Sequence, residues 1–214
     1  MRNIFKKKNN YTDEVSFDIK SIEQGHHKLQ YKNVPMIKCP FDYLIYQMLI
    51  FRVKPDLIIE IGTNQGGSSL YLADLLELSG KGQLHTIDIV DVRHDDAKSH
   101  PRIKFFADGF QNYDTKLING YNTVLIIEDG SHTYDDVKAT LDKFEKFVSK
   151  DSYFIIEDGI LDKLGWKQIY NGGPNRAIKE FLEYNKSYII DRQWCDLFGT
   201  NATFNTNGFL KKID

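Results

Sequence analysis

Five short apolar runs alternate with amphipathic segments along most of the chain. The runs read LIIEI, QLHTIDIV, RIKFFA, TVLIIED and YFIIED. Helical patterns lie between or after them: SSLYLADLLELS, a segment near FQNYDTKLI, TYDDVKATLDKFEKFV and NRAIKEFLEY. Runs this apolar are typical of parallel strands covered on both faces. The repeated alternation of strand and helix predicts an α/β fold with a doubly wound, mostly parallel sheet.

The two ends of the chain break this alternation. Residues 1–38 are polar and weakly periodic, and we interpret them as an N-terminal helical arm that precedes one domain over residues 39–214. Pro40 opens an apolar helical pattern, at a position where a helix tolerates proline. Near the other end, SYIIDR and FNTNGFLKKI predict two strands, with a turn at Asn207-Gly208. We therefore expect an antiparallel C-terminal strand.

The net charge and the lengths of the apolar runs limit the classes of function that the chain can have. The 214 residues carry a formal net charge of −2, which does not point to nucleic acid or to acidic membranes as partners. No apolar run approaches the roughly 18 residues of a membrane span, and the N-terminus has no apolar signal core, so a cytoplasmic protein is the default expectation. The basic cluster Lys6, Lys7 and Lys8 is either a contact for an anionic surface or a solvated tail.

Acidic residues follow every predicted parallel strand. In open α/β sheets, ligands bind outside the carboxyl ends of the strands, so these positions share one edge of the molecule. In chain order they are Glu60 with the turn Gly62–Ser68, Asp88, Asp108-Gly109, Glu128-Asp129-Gly130-Ser131-His132 and Glu157-Asp158. We expect a ligand site along this edge.

The glycine turn GTNQGGS differs from the phosphate-binding fingerprints. A dinucleotide motif has the spacing G-x-G-x-x-G, but here Asn64 occupies the second glycine position, and no lysine completes a P-loop. An acid just before the turn disfavours phosphate and favours a cationic ligand, and Asp88 can accept both hydrogen bonds of a ribose diol. S-adenosylmethionine (SAM) meets these demands, and a purely structural turn is the alternative. The predicted cofactor-binding residues are Glu60, Gly62, Thr63, Gln65, Gly66, Gly67, Ser68, Asp88, Asp108 and Gly109.

The later acids suggest a metal site. Asp129, Glu157 and Asp158 would repel one another unless they were protonated or bridged by a cation, and Mg²⁺ prefers oxygen ligands. His132 is the best-placed base for a metal-assisted reaction, and Asp129 is the second catalytic candidate. In the alternative, Asp129 caps the following helix and His132 is an ordinary loop residue. The residues alone leave both interpretations open.

With these motifs placed, the chain resembles the cephalosporin hydroxylase family, which also includes rhamnosyl O-methyltransferases. The likeness is carried by CPFDYLIYQMLIFRVKPDLIIEIGTNQGGSSLYLADLL, EDGSHTYDDV, SYFIIEDGI, GPNRAIKEFL and the closing YIIDR and TFNTNGFLKK. Despite its name, the family resembles class I SAM-dependent methyltransferases, which have a Rossmann-like fold. The resemblance implies that Glu60 and the glycines line the cofactor, that Asp88 holds its ribose, and that Asp129, Glu157 and Asp158 bind Mg²⁺. Glu128 departs from the family pattern, and we expect it either to enter the core or to alter the site.

These inferences predict a Mg²⁺-assisted O-methyltransferase that acts on a hydroxyl of a small molecule, with a sugar or glycan precursor as the preferred acceptor. A homo-oligomer is expected, because N-terminal arms often build subunit contacts. Trp166, Tyr170 and Trp194 either stack on the acceptor or pack a lid.

The rival functions are an Fe(II)-dependent hydroxylase using His94-Asp95-Asp96 with His132, an NAD-binding oxidoreductase, and a binding module without turnover. His26-His27 also suggests a metal, although an exposed pair in the arm is the simpler interpretation.

Overall fold

The computed structural model describes residues 12–214, so the predicted basic cluster Lys6–Lys8 lies outside the described residues. Within that range a seven-stranded sheet has the order β5-β4-β3-β6-β7-β9-β8, and a separate hairpin pairs β1 with β2. The strands are β1 Gln30–Tyr31, β2 Val34–Pro35, β3 Leu57–Ile61, β4 Gln83–Ile87, β5 Ile103–Phe106, β6 Val124–Glu128, β7 Tyr153–Ile156, β8 Tyr188–Ile190 and β9 Phe209–Lys212.

Helices cover both faces of the sheet. They are α1 Ile19–His26, α2 Pro40–Val53, α3 Gly67–Leu78, α4 Asp95–Ser99, α5 Gly109–Asn112, α6 Tyr134–Phe144, α7 Gly173–Tyr184 and α8 Arg192–Cys195, with short 3₁₀ turns at Thr115–Ile118, Glu145–Phe147 and Gly159–Asp162. Among residues 12–214, no helix combines the length and the apolar character that crossing a bilayer requires.

The parallel part of the sheet is buried on both faces, as the apolar runs predict. All five residues of β3 and all five of β6 are buried. Side chains alternate across a strand, so Leu57 and Ile59 join the core beneath α6 and α7, whereas Ile58 joins the core beneath α2 and α3. This two-sided burial holds the carboxyl ends of β3, β4 and β6 side by side.

The sheet closes with the predicted antiparallel strand. β9 pairs antiparallel with both β7 and β8, and Phe154 lies opposite Leu210. Asn207 has a φ of 59°, in the left-handed region that a turn before β9 requires. The predicted fold class is therefore confirmed.

The N-terminal segment is one helix followed by a hairpin. Asp18 and Ser21 form a capping box at the start of α1. The Tyr31 hydroxyl donates to Asp74 at 2.8 Å, and Lys32 pairs with the same carboxylate at 2.6 Å, so the hairpin is fastened to α3. The division at residue 38 stays a prediction.

Candidate functional site

A cleft of about 450 Å³ opens at the carboxyl ends of β3, β4 and β6. That volume lies within the usual range for small-molecule sites. Its wall is formed by Pro35, Met36, Ile37, Ile61, Gly62, Thr63, Asn64, Gly67, Ser68, Ile87, Asp88, Ile89, Gly109, Phe110, Gln111, Glu128, Asp129, Gly130, Ser131, His132, Asp136 and Asp158. The glycine turn therefore shares one cleft with Asp129 and Asp158, whereas Glu157 is not part of its wall.

The glycine turn is shaped by close backbone contacts. Gly62 has a φ of 94°, and a Cβ there would lie 1.9 Å from the Asp129 carbonyl oxygen. A Cβ on Gly67 would lie 2.2 Å from the Pro35 carbonyl oxygen, so the hairpin occupies the space beside the start of α3. Only glycine fits at these two positions, because the neighbouring atoms are backbone.

Asp88 ties this turn to the end of β4. Its Oδ2 accepts hydrogen bonds from the backbone N–H groups of Thr63 and Asn64, both at 2.9 Å, and its Oδ1 accepts one from Ile89 at 2.7 Å. Asn64 has a φ of 48°, which the bonds from its backbone and from Thr63 help to hold. Asp88 thus stands on the cleft wall and fixes the conformation of the turn.

Glu60 lies beneath the turn and does not reach the cleft. It is fully buried, and its Oε2 accepts hydrogen bonds from the Ser69 hydroxyl and from the Thr86 hydroxyl, the latter at 2.6 Å. Its Oε1 has no hydrogen-bond partner among the described residues. Burial raises the pKa of Glu60, although these two hydroxyls oppose the shift. Glu60 therefore supports the turn from the α3 side of the sheet.

The predicted cofactor residues divide into two sets. Six line the cleft: Gly62, Thr63, Gly67, Ser68, Asp88 and Gly109. Four do not, namely Glu60, Gln65, Gly66 and Asp108. The Gln65 carbonyl instead accepts a hydrogen bond from the backbone of His94, and Gly66 packs against Ala97. Asp108 is exposed to solvent.

Across the cleft, Asp129, His132 and Asp158 form a group of side chains that could hold a metal ion, called here the metal-ligand group. Each offers one ligand atom, and these atoms all lie within 4.8 Å of one another. His132 Nε2 lies 3.2 Å from an Asp158 oxygen. Both residues have left-handed backbone conformations, with φ values of 59° and 58°. Such strain in residues other than glycine is concentrated at functional sites, where it aims a side chain.

The electrostatics of this group follow from burial and crowding. Burial raises the pKa of Asp129 to about 6, and Asp158 adds to the shift whereas Lys38 opposes it. For His132, burial lowers the pKa, but the surrounding carboxylates outweigh it and the net shift is upward. His132 Nδ1 has no hydrogen-bond partner among the described residues. A cation would relieve the repulsion between these acids.

Glu157, predicted as a third metal ligand, forms an ion pair with a lysine, and its role as a ligand stays a prediction. Lys38 Nζ lies 2.5 Å from both Glu157 oxygens and 3.4 Å from Asp129 Oδ2. The Tyr46 hydroxyl donates to Glu157 Oε1 at 2.6 Å. Sequence reasoning missed Lys38, because it placed this residue at the end of the arm. The available signal was its position two residues before Pro40, which opens α2.

Glu128 is the departure from the family pattern, and it lines the cleft although it is almost fully buried. Its Oε1 accepts a hydrogen bond from the Gly130 N–H at 3.2 Å. Burial raises the pKa of Glu128 to about 7. The side chain therefore contributes a second acid beside Asp129.

A loop near the C-terminus contacts the backbone of Asp158. The Asp158 N–H donates to the Asn205 side chain at 3.4 Å. The loop that carries Asn205 is fastened to α2, because Asp42 accepts hydrogen bonds from the Thr203 hydroxyl at 2.5 Å and from the Phe204 N–H at 3.2 Å. Asp42 thus supports Asp158 indirectly, by holding the loop that carries Asn205. The sequence analysis did not identify Asp42 as a site residue.

Of the three aromatic residues considered as acceptor contacts, one is excluded by its burial. Trp194 is fully buried and donates to the Tyr153 hydroxyl at 3.1 Å, so it packs the core and cannot stack on an acceptor. Trp166 is 38% exposed, and the Tyr170 ring lies 6.3 Å from the His132 ring. These two residues remain candidates for an acceptor contact.

The iron site predicted as a rival is not formed. His94 accepts a hydrogen bond from the Asp96 N–H at the start of α4, and neither residue joins a metal-ligand group among residues 12–214. In the N-terminal segment, Glu23, His26 and His27 form a second possible ligand group. His26 is buried there, contrary to the expectation of an exposed pair, whereas His27 is exposed.

Comparisons with known proteins agree with this architecture. A sequence-family model described as Rhamnosyl O-methyltransferase/CmcI matches residues 23–213. The rhamnosyl O-methyltransferase of Mycobacterium leprae is 28% identical over 210 residues, which cover 89% of this chain and 90% of that protein. A solved structure of CmcI with SAH aligns with a TM-score of 0.67 at 18% identity, over 95% of this chain and 89% of that one.

A second CmcI structure, with Mg and SAM, aligns with a TM-score of 0.65 at 18% identity and covers 98% of this chain and 88% of that one. These structural likenesses show the fold, and the family match extends over nearly the whole described range. The resemblance inferred from the motifs is confirmed. The chain therefore belongs to the rhamnosyl O-methyltransferase/CmcI family of SAM-dependent methyltransferases.

Proposed function

We propose that this protein transfers the methyl group of SAM to a hydroxyl of a small molecule, with a sugar or glycan precursor as the acceptor and a divalent ion such as Mg²⁺ at the acids. One observation carries the proposal: the Asp129 backbone lies against Gly62, so the cofactor turn and the metal-ligand group face a single cleft. A relative named rhamnosyl O-methyltransferase and a CmcI structure containing Mg and SAM support it.

The cleft fits SAM in size and in chemistry. Its wall combines apolar side chains, such as Ile37, Ile89 and Phe110, with the Asp88 carboxylate. A carboxylate has about four lone-pair positions, so Asp88 retains one acceptor position for a ribose hydroxyl in addition to its three backbone bonds. Among residues 12–214, no lysine or arginine lies on the wall, which suits a cofactor that carries a sulfonium and no phosphate.

The acids fit a divalent ion. Asp129 and Asp158 supply the oxygen ligands that Mg²⁺ prefers, and His132 lies within the same 4.8 Å group. Glu157 is the remaining predicted ligand, and its use by an ion would require a rearrangement of its bonds with Lys38 and Tyr46. A divalent ion held there would lower the pKa of an acceptor hydroxyl.

The chain itself supplies orientation and a base. The SAM sulfonium provides an electrophilic methyl group. His132 Nε2 faces the cleft beside Asp158 and accepts the proton of the acceptor hydroxyl, while the acid keeps the resulting imidazolium paired. In the same transfer a bond forms between the acceptor oxygen and the methyl carbon, and the bond from sulfur to that carbon breaks. Holding the two reactants in register supplies most of the acceleration.

The experiment is a calorimetric titration of the purified protein with SAM, followed by a methyl-transfer assay on a panel of sugar acceptors. Asp129→Ala should bind SAM and lose turnover, whereas Lys32→Met, a change in the hairpin outside the cleft, should retain both. Absence of SAM binding by the unmodified protein, or full turnover by Asp129→Ala, would contradict the proposal.

Assembly and location are also part of this proposal. A homo-oligomer is supported by the exposed apolar residues Leu44, Met48 and Phe51, which recur at helical spacing on α2 and are 51%, 43% and 39% exposed. Light scattering of the purified protein tests it. A cytoplasmic location remains a prediction that cell fractionation checks.

A further inference from the structure

Lys38 is a buried cation that contacts two acids, Glu157 and Asp129, and the proposed chemistry does not use it. It is only 3% exposed, and its ammonium lies between Glu157 at 2.5 Å and Asp129 at 3.4 Å. The Tyr46 ring adds a cation–π contact, with Nζ 5.1 Å from the ring centroid. Burying a lysine costs free energy unless its charge is fully paired. We therefore expect the buried lysine to have a role that compensates for this cost.

The surrounding charges indicate that role. Glu60, Glu128, Asp129, Glu157 and Asp158 lie at this end of the sheet, and carboxylate oxygens of Asp129 and Asp158 lie within 4.8 Å of each other. Lys38 is the lysine that bonds directly to two of these carboxylates. Carboxylates at this spacing would otherwise have to be protonated or move apart. The Lys38 ammonium therefore offsets the repulsion between neighbouring carboxylates, as a bound metal ion does in other proteins.

We propose that Lys38 is the resident cation of the site, a positioning residue that holds Glu157 and Asp129 together before any divalent ion binds. The N-terminal segment thereby completes the site, because the residue comes from the stretch between the hairpin and α2. The inference rests on the proposed function only for the identity of the divalent ion, since the contacts of Lys38 are independent of SAM.

The test compares Lys38→Met with Lys32→Met. Both change a paired lysine of the same segment, but Lys32 pairs with Asp74 at the surface and is 54% exposed. Thermal unfolding is followed in metal-free buffer and with MnCl₂ or MgCl₂, and Mn²⁺ affinity is measured by electron paramagnetic resonance. Lys38→Met should melt earlier without metal and recover at least half of the loss with it.

Mn²⁺ affinity should also rise, by about tenfold or more, because a positive charge adjacent to Asp129 is removed. Lys32→Met should show neither effect. A loss of stability that metal does not recover, or an unchanged or weaker Mn²⁺ affinity, would overturn the proposal. A lysine that served only to fill space would produce that pattern.

A second variant keeps the test decisive if Lys38→Met does not fold. The double change Lys38→Met with Glu157→Gln removes both partners of the pair, and it should fold and melt closer to the unmodified protein. Failure of the double variant to fold would refute charge compensation as the role of Lys38. Neither measurement involves SAM, so failure of the proposed methyl transfer would be seen separately, in the SAM titration.

Discussion

Replacing Gly62 by alanine tests whether the cofactor turn and the acid-bearing strand are locked together. The glycine has a φ of 94°, and an added Cβ would lie 1.9 Å from the carbonyl oxygen of Asp129. The obstacle is backbone at the end of β6, which cannot rotate away as a side chain can. We expect Gly62→Ala to displace either the turn or Asp129.

Gly80 provides the matched control. It follows α3 with a φ of 80°, and a Cβ there would meet no atom of residues 12–214 within 4 Å. Left-handed backbone costs a residue with a Cβ roughly 1–2 kcal/mol, and this strain applies to both substitutions. Gly62→Ala adds the clash, for which overpacking gives about 1–3 kcal/mol more. The difference between the two variants therefore measures the contact with Asp129.

Chemical denaturation of the two variants, with SAM titrations alongside, measures this difference. Gly80→Ala should lose the smaller amount of unfolding free energy and bind SAM normally. Gly62→Ala should lose about 1–3 kcal/mol more than Gly80→Ala and bind SAM more weakly. If the two variants lose equal stability, the turn accommodates a side chain and the two halves of the cleft are not locked.

Three further predictions separate the roles of individual residues. Asp88→Asn should weaken SAM binding about tenfold, because charge-assisted bonds to the turn are lost, whereas Asp108→Asn at an exposed site should leave the calorimetric Kd unchanged. His132→Gln should lower kcat by about 10²–10⁴-fold at unchanged SAM affinity, and a similar loss in affinity would argue against a base. Burial lowers the pKa of His85 to about 4 from 6.5, so its contribution to stability is complete above pH 6.5 and is lost as the pH falls towards 4. His85→Gln should remove about 3 kcal/mol of that acid dependence in denaturation series, and an unaltered pH profile would rule out this linkage.

The strands were the most predictable part of the fold, because burial on both faces demands continuous apolar sequence. Their ends were less predictable. The apolar run QLHTIDIV continues past Ile87, but β4 ends at that residue. The strand ends there because the Asp88 side chain accepts hydrogen bonds from the glycine turn. The segment near FQNYDTKLI divides into α5 and a 3₁₀ turn capped by Asp114, a local hydrogen bond that periodicity cannot detect.

The residue types of the site could be predicted from the sequence. The directions in which their side chains point were less predictable. The sequence places an acid after each strand, but alternation along β3 turns Glu60 to the α3 side, away from the cleft. Glu157 is buried against Lys38, and nothing in the local sequence distinguishes Lys38 from the surface residue Lys32. Contacts of this kind join residues about 120 positions apart, so only the folded chain reveals them.

The position of β9 has a consequence for how the protein is made. Because Phe209–Lys212 lies between β7 and β8, the edge of β7 stays open on the ribosome until those residues have emerged from the exit tunnel. Nascent chains would thus expose an unpaired, apolar strand edge from the emergence of β7 until the emergence of β9, and exposed edges of this kind favour aggregation. The Asn205 loop that supports Asp158 lies in the same late part of the chain, so the hydrogen bond to Asp158 forms only after that loop has emerged.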